Sequence, residues 1–379
     1  MILIARMFKG KASPDRALTF LENHALHELQ MRDFCGIPVS TLALGTYLGN
    51  MDEVTDAAVT AACLQAIDLG CNFFDSAINY RGQRGERSVG EAIRRAILSG
   101  KVSREEVFVS TKGGFVPTDG KPNSDLKRLF QTEYVDKGLA TADDLVAGCH
   151  CIEPAYIDDQ IEKSRRNLGL ETIDLYYLHN PETQLEELPA RIFYDKLEKA
   201  FVTLERAVQQ GRIAAYGMAT WSGFREPESS TTHLEMDRCV TAAENAAKFQ
   251  SEKQHHFSAV QLPLNLAMPE AALVKTQKIG HTLMSAIDAA QTLGLNAAVS
   301  VPLFQGRLCH GLPDFILEKF PKDLSQAHAA LAFATAFASV DSAMVGMKNS
   351  EHVAHNLAFL KHKPLDENEL RAVVEAMLG

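Results

Sequence analysis

A basic surface is what this sequence most visibly lacks: 38 Lys and Arg stand against 48 Asp and Glu, for a net charge of −10. Nucleic-acid binding calls for a basic stripe, whereas Lys361, His362 and Lys363 form only an isolated cluster, so no nucleic-acid partner is expected. No stretch approaches the roughly 18 consecutive apolar residues of a membrane-spanning helix. The opening Met1-Ile-Leu-Ile-Ala-Arg6 is too short and unpatterned for a signal peptide. The expectation is a cytoplasmic protein with no membrane partner. Seven cysteines are scattered along the chain, and Cys149-His150-Cys151 lacks a second Cys/His pair at zinc spacing. Reduced thiols and no metal are expected.

What is present is an ordinary globular composition, 46% hydrophobic and 23% charged. Short apolar runs recur at 41–46, 72–74, 106–112, 173–179, 213–217, 257–262, 297–301 and 342–345. Helical patterns follow them at 57–69, 85–98, 154–168, 194–210, 235–249, 282–293, 325–338, 350–360 and 367–377. Gly70, Gly100 and Gly211 supply stop signals, and Pro154 sits at a first turn where proline is tolerated. Apolar strands without strict alternation, each followed by an amphipathic helix, predict a closed parallel (β/α)8 TIM barrel. A doubly wound sheet would carry a glycine-rich fingerprint opening an early helix, and Gly82-Gln-Arg-Gly85 does not match one. Long polar connections at 113–153 and 221–233 follow strands three and five, and loops of that length are usually lids or binding segments. The expected division is an N-terminal extension over 1–35, with a helix starting at Ser13-Pro14-Asp15, and one barrel domain over 36–379.

In such a barrel, active groups gather at the C-terminal ends of the strands. Asp75 ends strand two, Lys112 ends strand three, His179 ends strand four, and Tyr80 lies in the loop just past strand two. Neighbouring strands run roughly 5 Å apart, so the four side chains can meet at one mouth. A carboxylate at the end of an apolar strand is costly unless a cation answers it, and Lys112 is that cation. Its charge is expected to lower the pKa of Tyr80 and make the hydroxyl a general acid. His179 can donate a hydrogen bond to a carbonyl oxygen. Plainer roles compete: Asp75 or His179 as turn caps, Tyr80 as a packing residue, Lys112 as a solvated charge. A metal-dependent hydrolase would need more ligands at strand ends than Asp75 and His179.

Several segments together resemble the aldo-keto reductase family. They are Gly70-Cys-Asn-Phe-Phe-Asp-Ser-Ala-Ile-Asn-Tyr80, Glu86-Arg-Ser-Val-Gly90, Phe108-Val-Ser-Thr-Lys112 and Ile173-Asp-Leu-Tyr-Tyr-Leu-His179. Gln210-Gly-Arg-Ile-Ala-Ala-Tyr-Gly217 and Val345-Gly-Met-Lys-Asn-Ser-Glu-His-Val-Ala-His-Asn356 correspond as well. The resemblance implies an NADPH-dependent oxidoreductase that reduces a small aldehyde or ketone to an alcohol. Hydride would come from nicotinamide and the proton from Tyr80, with Asp75, Lys112 and His179 in support. NADP(H) is favoured and NAD(H) stays open. Gln261 matches the residue that holds the nicotinamide amide, and Ala219-Thr220 stands where the family has a Ser-Asn pair, leaving Thr220 to serve. Leu303, Gln305 and Gly306 fall in the loop that wraps the pyrophosphate, with Phe304 the candidate ring beneath the nicotinamide. Asn356 matches the adenine contact, and His352 replaces the Arg that commonly grips the 2′-phosphate, with Lys348 close enough to supply charge. The alternative is a cofactor-binding regulatory barrel subunit with negligible turnover, its long loops serving a partner. Trp221, the single tryptophan, is expected either on a pocket wall or packed under its own loop.

Overall fold

The computed structural model describes residues 7–120 and 125–378, so 1–6 of the expected extension and 121–124 of the first long loop lie outside the described residues. A hairpin of β1 (Met31–Phe34) and β2 (Ile37–Ser40) precedes the barrel. Next come β3 (Leu42–Gly45), β4 (Phe73–Asp75), β5 (Phe108–Gly113), β6 (Ile173–His179), β7 (Ile213–Ala219) and β8 (Phe257–Pro263). A second hairpin, β9 (Lys275–Ile279) and β10 (Thr282–Ser285), leads to β11 (Asn296–Ser300) and β12 (Ser342–Gly346). Strands β3 to β8, β11 and β12 close into a parallel barrel, with β12 pairing back on β3. Every residue of β5 and β6 is buried, which is why these strands read as continuous runs rather than alternating ones.

The longer helices are α1 (Pro14–Glu22), α2 (Glu53–Asp68), α3 (Arg84–Leu98), α4 (Pro154–Leu168), α5 (Ala190–Gln209), α6 (Met236–Phe249), α7 (Ala286–Thr292), α8 (Gln326–Ala336), α9 (Ser350–Ala358) and α10 (Glu367–Leu378). Local chemistry sets their ends. The Asp52 carboxylate accepts the Thr55 amide at 2.7 Å to start α2. Gly169 ends α4 in the left-handed region, at φ 69°.

Two expectations change. The helix expected over 282–293 begins only at Ala286, because Gly280 (φ 59°) turns the chain into a hairpin whose second strand is 282–285. Ser285 then caps α7 by accepting the Asp288 amide. The irregular stretch 26–35 contains β1, which the sequence pattern did not reveal. The connection over 113–153 also carries packing of its own among the described residues: Phe130 and Tyr134 are buried and lie against Tyr156 of α4, at ring-centroid distances of 5.9 and 4.5 Å.

Phe34 of the first hairpin packs on Phe73 and Phe108 at 5.2 and 5.6 Å, plugging the N-terminal end of the barrel. The residue boundary drawn between 35 and 36 falls in the turn of that hairpin, Cys35-Gly36, where both residues have positive φ. The opposite, C-terminal end is left open to hold a site.

Candidate active site

Asp75 closes β4, and its two oxygens are answered separately. Oδ2 accepts from Lys112 Nζ at 2.5 Å, while Oδ1 accepts from Ser110 Oγ at 2.6 Å and Gln261 Nε2 at 3.2 Å. Lys112 also donates to the Ser76 carbonyl at 2.8 Å. The pair is almost sealed from solvent, so its ionisation depends on these added hydrogen bonds. Tyr80 arches over it from the loop after β4, with Lys112 Nζ 4.9 Å from the ring centroid. His179 ends β6 and meets Tyr80 edge-on at 5.6 Å. The four expected residues therefore do meet.

The electrostatics differ from expectation in one respect. Burial, then the charge of Asp75, pushes the Tyr80 hydroxyl well above the usual tyrosine range instead of lowering it. Lys112 does not counteract this because its ammonium is already engaged by Asp75 and Ser76. Burial also pulls the Lys112 ammonium down, with Asp75 opposing. His179 is held well below the ordinary imidazole value by burial, then by Lys112 and His150. The resting site thus has a protonated phenol, a neutral imidazole and a closed ion pair.

These groups border a cleft of about 1270 Å³ at the C-terminal mouth, above the roughly 300–1,000 Å³ of a common small-ligand site. Asp75, Tyr80 and His179 line it, with Lys112 directly behind Asp75. Thr220, Gln261, Leu303, Gln305 and Gly306 line it too, as do Lys348, His352 and Asn356. Phe304 does not. Its backbone and that of Gln305 turn through positive φ (47° and 56°), and its ring faces Arg307 at 5.2 Å. Among the described residues, the buried His179 Nδ1, Thr220 Oγ1 and Asn79 Oδ1 have no hydrogen-bond partner. An unmet buried polar atom costs about 1–3 kcal/mol, which a polar ligand in the cleft would relieve.

Several contributors were not legible in the sequence. Ser110 shares Asp75 with Lys112. His150 sits beneath His179: its Nε2 donates to the His179 carbonyl at 2.7 Å, and Gln184 donates to its Nδ1 at 2.9 Å. Burial lowers the His150 pKa to about 4, so the ring is a neutral strut. The Cys149-His150-Cys151 motif is thus part of the packing behind the site. Tyr47 packs against Tyr80 at 5.1 Å and Phe115 against His179 at 5.1 Å. The Glu182 carboxylate accepts the amides of Trp221 and Ser222 at 2.6 and 3.0 Å. Of these, Phe115 and His150 lie in the long polar connection after β5 that the sequence marked, whereas Ser110 is on β5 itself and Tyr47 and Glu182 follow β3 and β6.

A family model described as the Aldo/keto reductase family matches residues 41–262. Prostaglandin F synthase 1 of Bos taurus is 29% identical over 153 residues, 40% of this chain and 35% of that protein. The chain spans about a third of the length of the first curated relatives it matches. A holo-form aldo-keto reductase of Bacillus halodurans superposes with a TM-score of 0.63 at 18% identity, over 92% of this chain and 96% of that one. An aldo/keto reductase of Klebsiella pneumoniae, solved with NADP and acetate, gives 0.60 at 20% identity, over 91% and 94%. At these identities the structural likeness speaks for the barrel fold alone. The family model covers more than half of the chain, and by that measure the protein belongs to the aldo/keto reductase family.

Proposed function

We propose that the protein is an NADPH-dependent oxidoreductase that reduces an aldehyde or ketone to an alcohol. The observation that carries this reading is the meeting of Tyr80, His179 and the Asp75–Lys112 pair at a cleft with room for a dinucleotide beside a small substrate. When bound, the nicotinamide supplies hydride to the carbonyl carbon. Tyr80 hydrogen-bonds the carbonyl oxygen and gives it a proton as negative charge develops there. Its raised pKa keeps the proton in place until that moment, and an alkoxide is basic enough to take it. The phenolate left behind lies near the Lys112 ammonium. The neutral imidazole of His179 donates a second hydrogen bond to the same oxygen and orients it.

Thr220 and Gln261 would hold the nicotinamide end, Leu303, Gln305 and Gly306 the pyrophosphate, and Lys348, His352 and Asn356 the adenosine end. The unpartnered Thr220 Oγ1 fits that assignment. Among the described residues Lys348 is the one Lys or Arg lining the cleft, which favours the 2′-phosphate of NADP(H) over NAD(H). The NADP of the Klebsiella relative supports the same choice. A regulatory barrel without turnover would be better supported by a broken acid or ion pair, and both are intact here.

The test is a titration of NADPH fluorescence with purified protein, followed by steady-state oxidation of NADPH with a panel of aldehydes. Binding with turnover is expected. Binding without turnover on any aldehyde would favour the regulatory reading, and no binding would sink both.

A further inference from the structure

We propose that His150 is a positioning residue for His179: its imidazole replaces the strand bond that the His179 carbonyl loses at the end of β6, and so sets where the His179 ring stands at the mouth. The proposal rests on the reductase reading, because it assigns the support of one of that reaction's two hydrogen-bond donors. The ladder between β5 and β6 closes at Gly113 opposite Leu178. Beyond it Gly114 turns away at φ 141°, and its amide goes to Gln160 Oε1 at 2.7 Å. On the other side the Asn180 amide reaches the Ala219 carbonyl of β7 at 2.6 Å, so the preceding His179 carbonyl faces β5, past its last ladder amide. A carbonyl buried there needs a donor, and His150 Nε2 supplies it at 2.7 Å. A Cβ at Gly114 would stand 3.0 Å from that oxygen and 2.7 Å from His150 Nε2, so the bond passes where only glycine leaves room.

His150 is itself held at backbone and ring. The Val116 amide donates to the Cys149 carbonyl at 2.9 Å, and the Cys151 amide to the Gly114 carbonyl at 3.0 Å. The His150 amide and carbonyl exchange bonds with Val146 at 3.0 and 2.8 Å. This clasp joins the two ends of the 113–153 connection beside β6. Gln184 Nε2 donates to His150 Nδ1 at 2.9 Å, which makes Nδ1 the acceptor and leaves the ring proton on Nε2, where the His179 carbonyl takes it. Gln184 lies on the short turn Pro181–Glu186 that starts two residues after His179. The chain and its bonds therefore close a loop, from His179 through the turn to Gln184, to His150 and back to His179.

Phe115 lies edge-on to both imidazoles, at 4.9 Å and 79° from His150 and at 5.1 Å and 86° from His179, so one ring fixes their relative orientation. Both imidazoles are buried and neutral, and the support acts chiefly through geometry. Geometry is what a hydrogen-bond donor to a reacting oxygen requires: a misplacement of about 1 Å can lower a rate by about a hundredfold. A histidine that only filled space would need partners for its ring nitrogens, but not the carbonyl of the residue that ends β6 at the cleft. The Cys149-His150-Cys151 stretch thus delivers its central side chain to the back of the site.

A double-mutant cycle tests this, with rates counted per NADPH-binding site. His150→Phe, which keeps a ring and removes the donor, should lower kcat at least about tenfold while the NADPH dissociation constant stays within about twofold. His150→Gln, whose amide can donate to the same carbonyl, should recover most of that loss. In the His179→Gln background, adding His150→Phe should lower kcat by less than about a further twofold, because a support then has nothing to hold. Unchanged kcat in His150→Phe, or losses that multiply in the double variant, would overturn the proposal. Should His150→Phe fail to fold, Gln184→Met takes its place in every arm. It frees the Nδ1 side of the ring, so kcat should fall about threefold alone and no further with His179→Gln. Independently of turnover, the imidazole nitrogen NMR signals of His179, assigned by difference against His179→Gln, should shift in His150→Phe and return in His150→Gln. Stationary signals would overturn the proposal. Shifted signals in a protein that turns over no aldehyde would uphold His150 and sink the reductase reading, whereas turnover with multiplying losses would do the reverse.

Discussion

Two buried ion pairs lie near opposite ends of this barrel: Arg104–Asp174 at 2.7 Å and Lys112–Asp75 at 2.5 Å. They differ in what else answers the carboxylate. Asp174, near the start of β6, also accepts the backbone amides of Ala12 at 2.7 Å and Val109 at 2.8 Å. Arg104 in turn donates to the Val107 and Thr172 carbonyls at 2.7 and 3.0 Å. That pair stitches the N-terminal segment and β5 onto β6. Among the described residues Asp75 instead takes only side-chain donors, Lys112, Ser110 and Gln261, and beside it the cleft begins. A pair saturated by backbone is an anchor. One held by side chains, with unpartnered Thr220 and His179 atoms along the adjoining cleft, is a preorganised site.

The largest effect should come from the open end. Tyr80→Phe is expected to cut reduction by about 10²–10⁴-fold while the NADPH dissociation constant barely moves; single-turnover kinetics beside a fluorescence titration would show it. Turnover near wild type would mean that Tyr80 is not the acid.

Next, Lys112→Met and Arg104→Met each strand a buried carboxylate, and each should lose about 3–5 kcal/mol of stability in urea denaturation. Only Lys112→Met should also lose rate per folded molecule. An equal loss of rate in Arg104→Met would erase the distinction between the two ends.

The pH profile is a finer probe. With Tyr80 pushed up and His179 pushed down, neither group titrates in the neutral range, so kcat/KM should stay flat over roughly pH 6 to 8. A neutral-range limb that disappears in His179→Gln would show that the imidazole does titrate.

The smallest effect belongs to the anchored end. His256 is raised above its ordinary value by its hydrogen bond to Glu205, at 2.6 Å. Its stabilising contribution is complete below the unfolded imidazole pKa and is lost as pH climbs through the raised folded value. His256→Gln should therefore destabilise the protein more at about pH 6 than at about pH 8, by about 1 kcal/mol or less because the His256 side chain stays 36% exposed although Glu205 is buried, and Tm measured at the two pH values would show the order. The reverse order would refute the sign.

The positions of Asp75, Lys112 and His179 were legible because strand ends follow from apolar runs, and a parallel barrel brings consecutive strand ends to one rim. The cofactor-facing residues were legible only through family motifs, and Phe304 shows how a local turn defeats that transfer. His150 and Glu182 were invisible because their partners are a backbone carbonyl 29 residues away and amides some 39–41 residues away. The hairpin at 275–285 was missed because a short helix and a short strand share the same apolar spacing over so few residues.

By itself, then, the sequence determined the alternation of elements, the closed barrel it implies and the identity of the residues at the rim. These depend on periodicity and composition, which are local. Only the tertiary structure decided the protonation of Tyr80 and His179, the partners of Asp75 and the placing of Trp221 at the mouth. Those depend on desolvation and on bonds between distant segments, and neither exists until the barrel has closed.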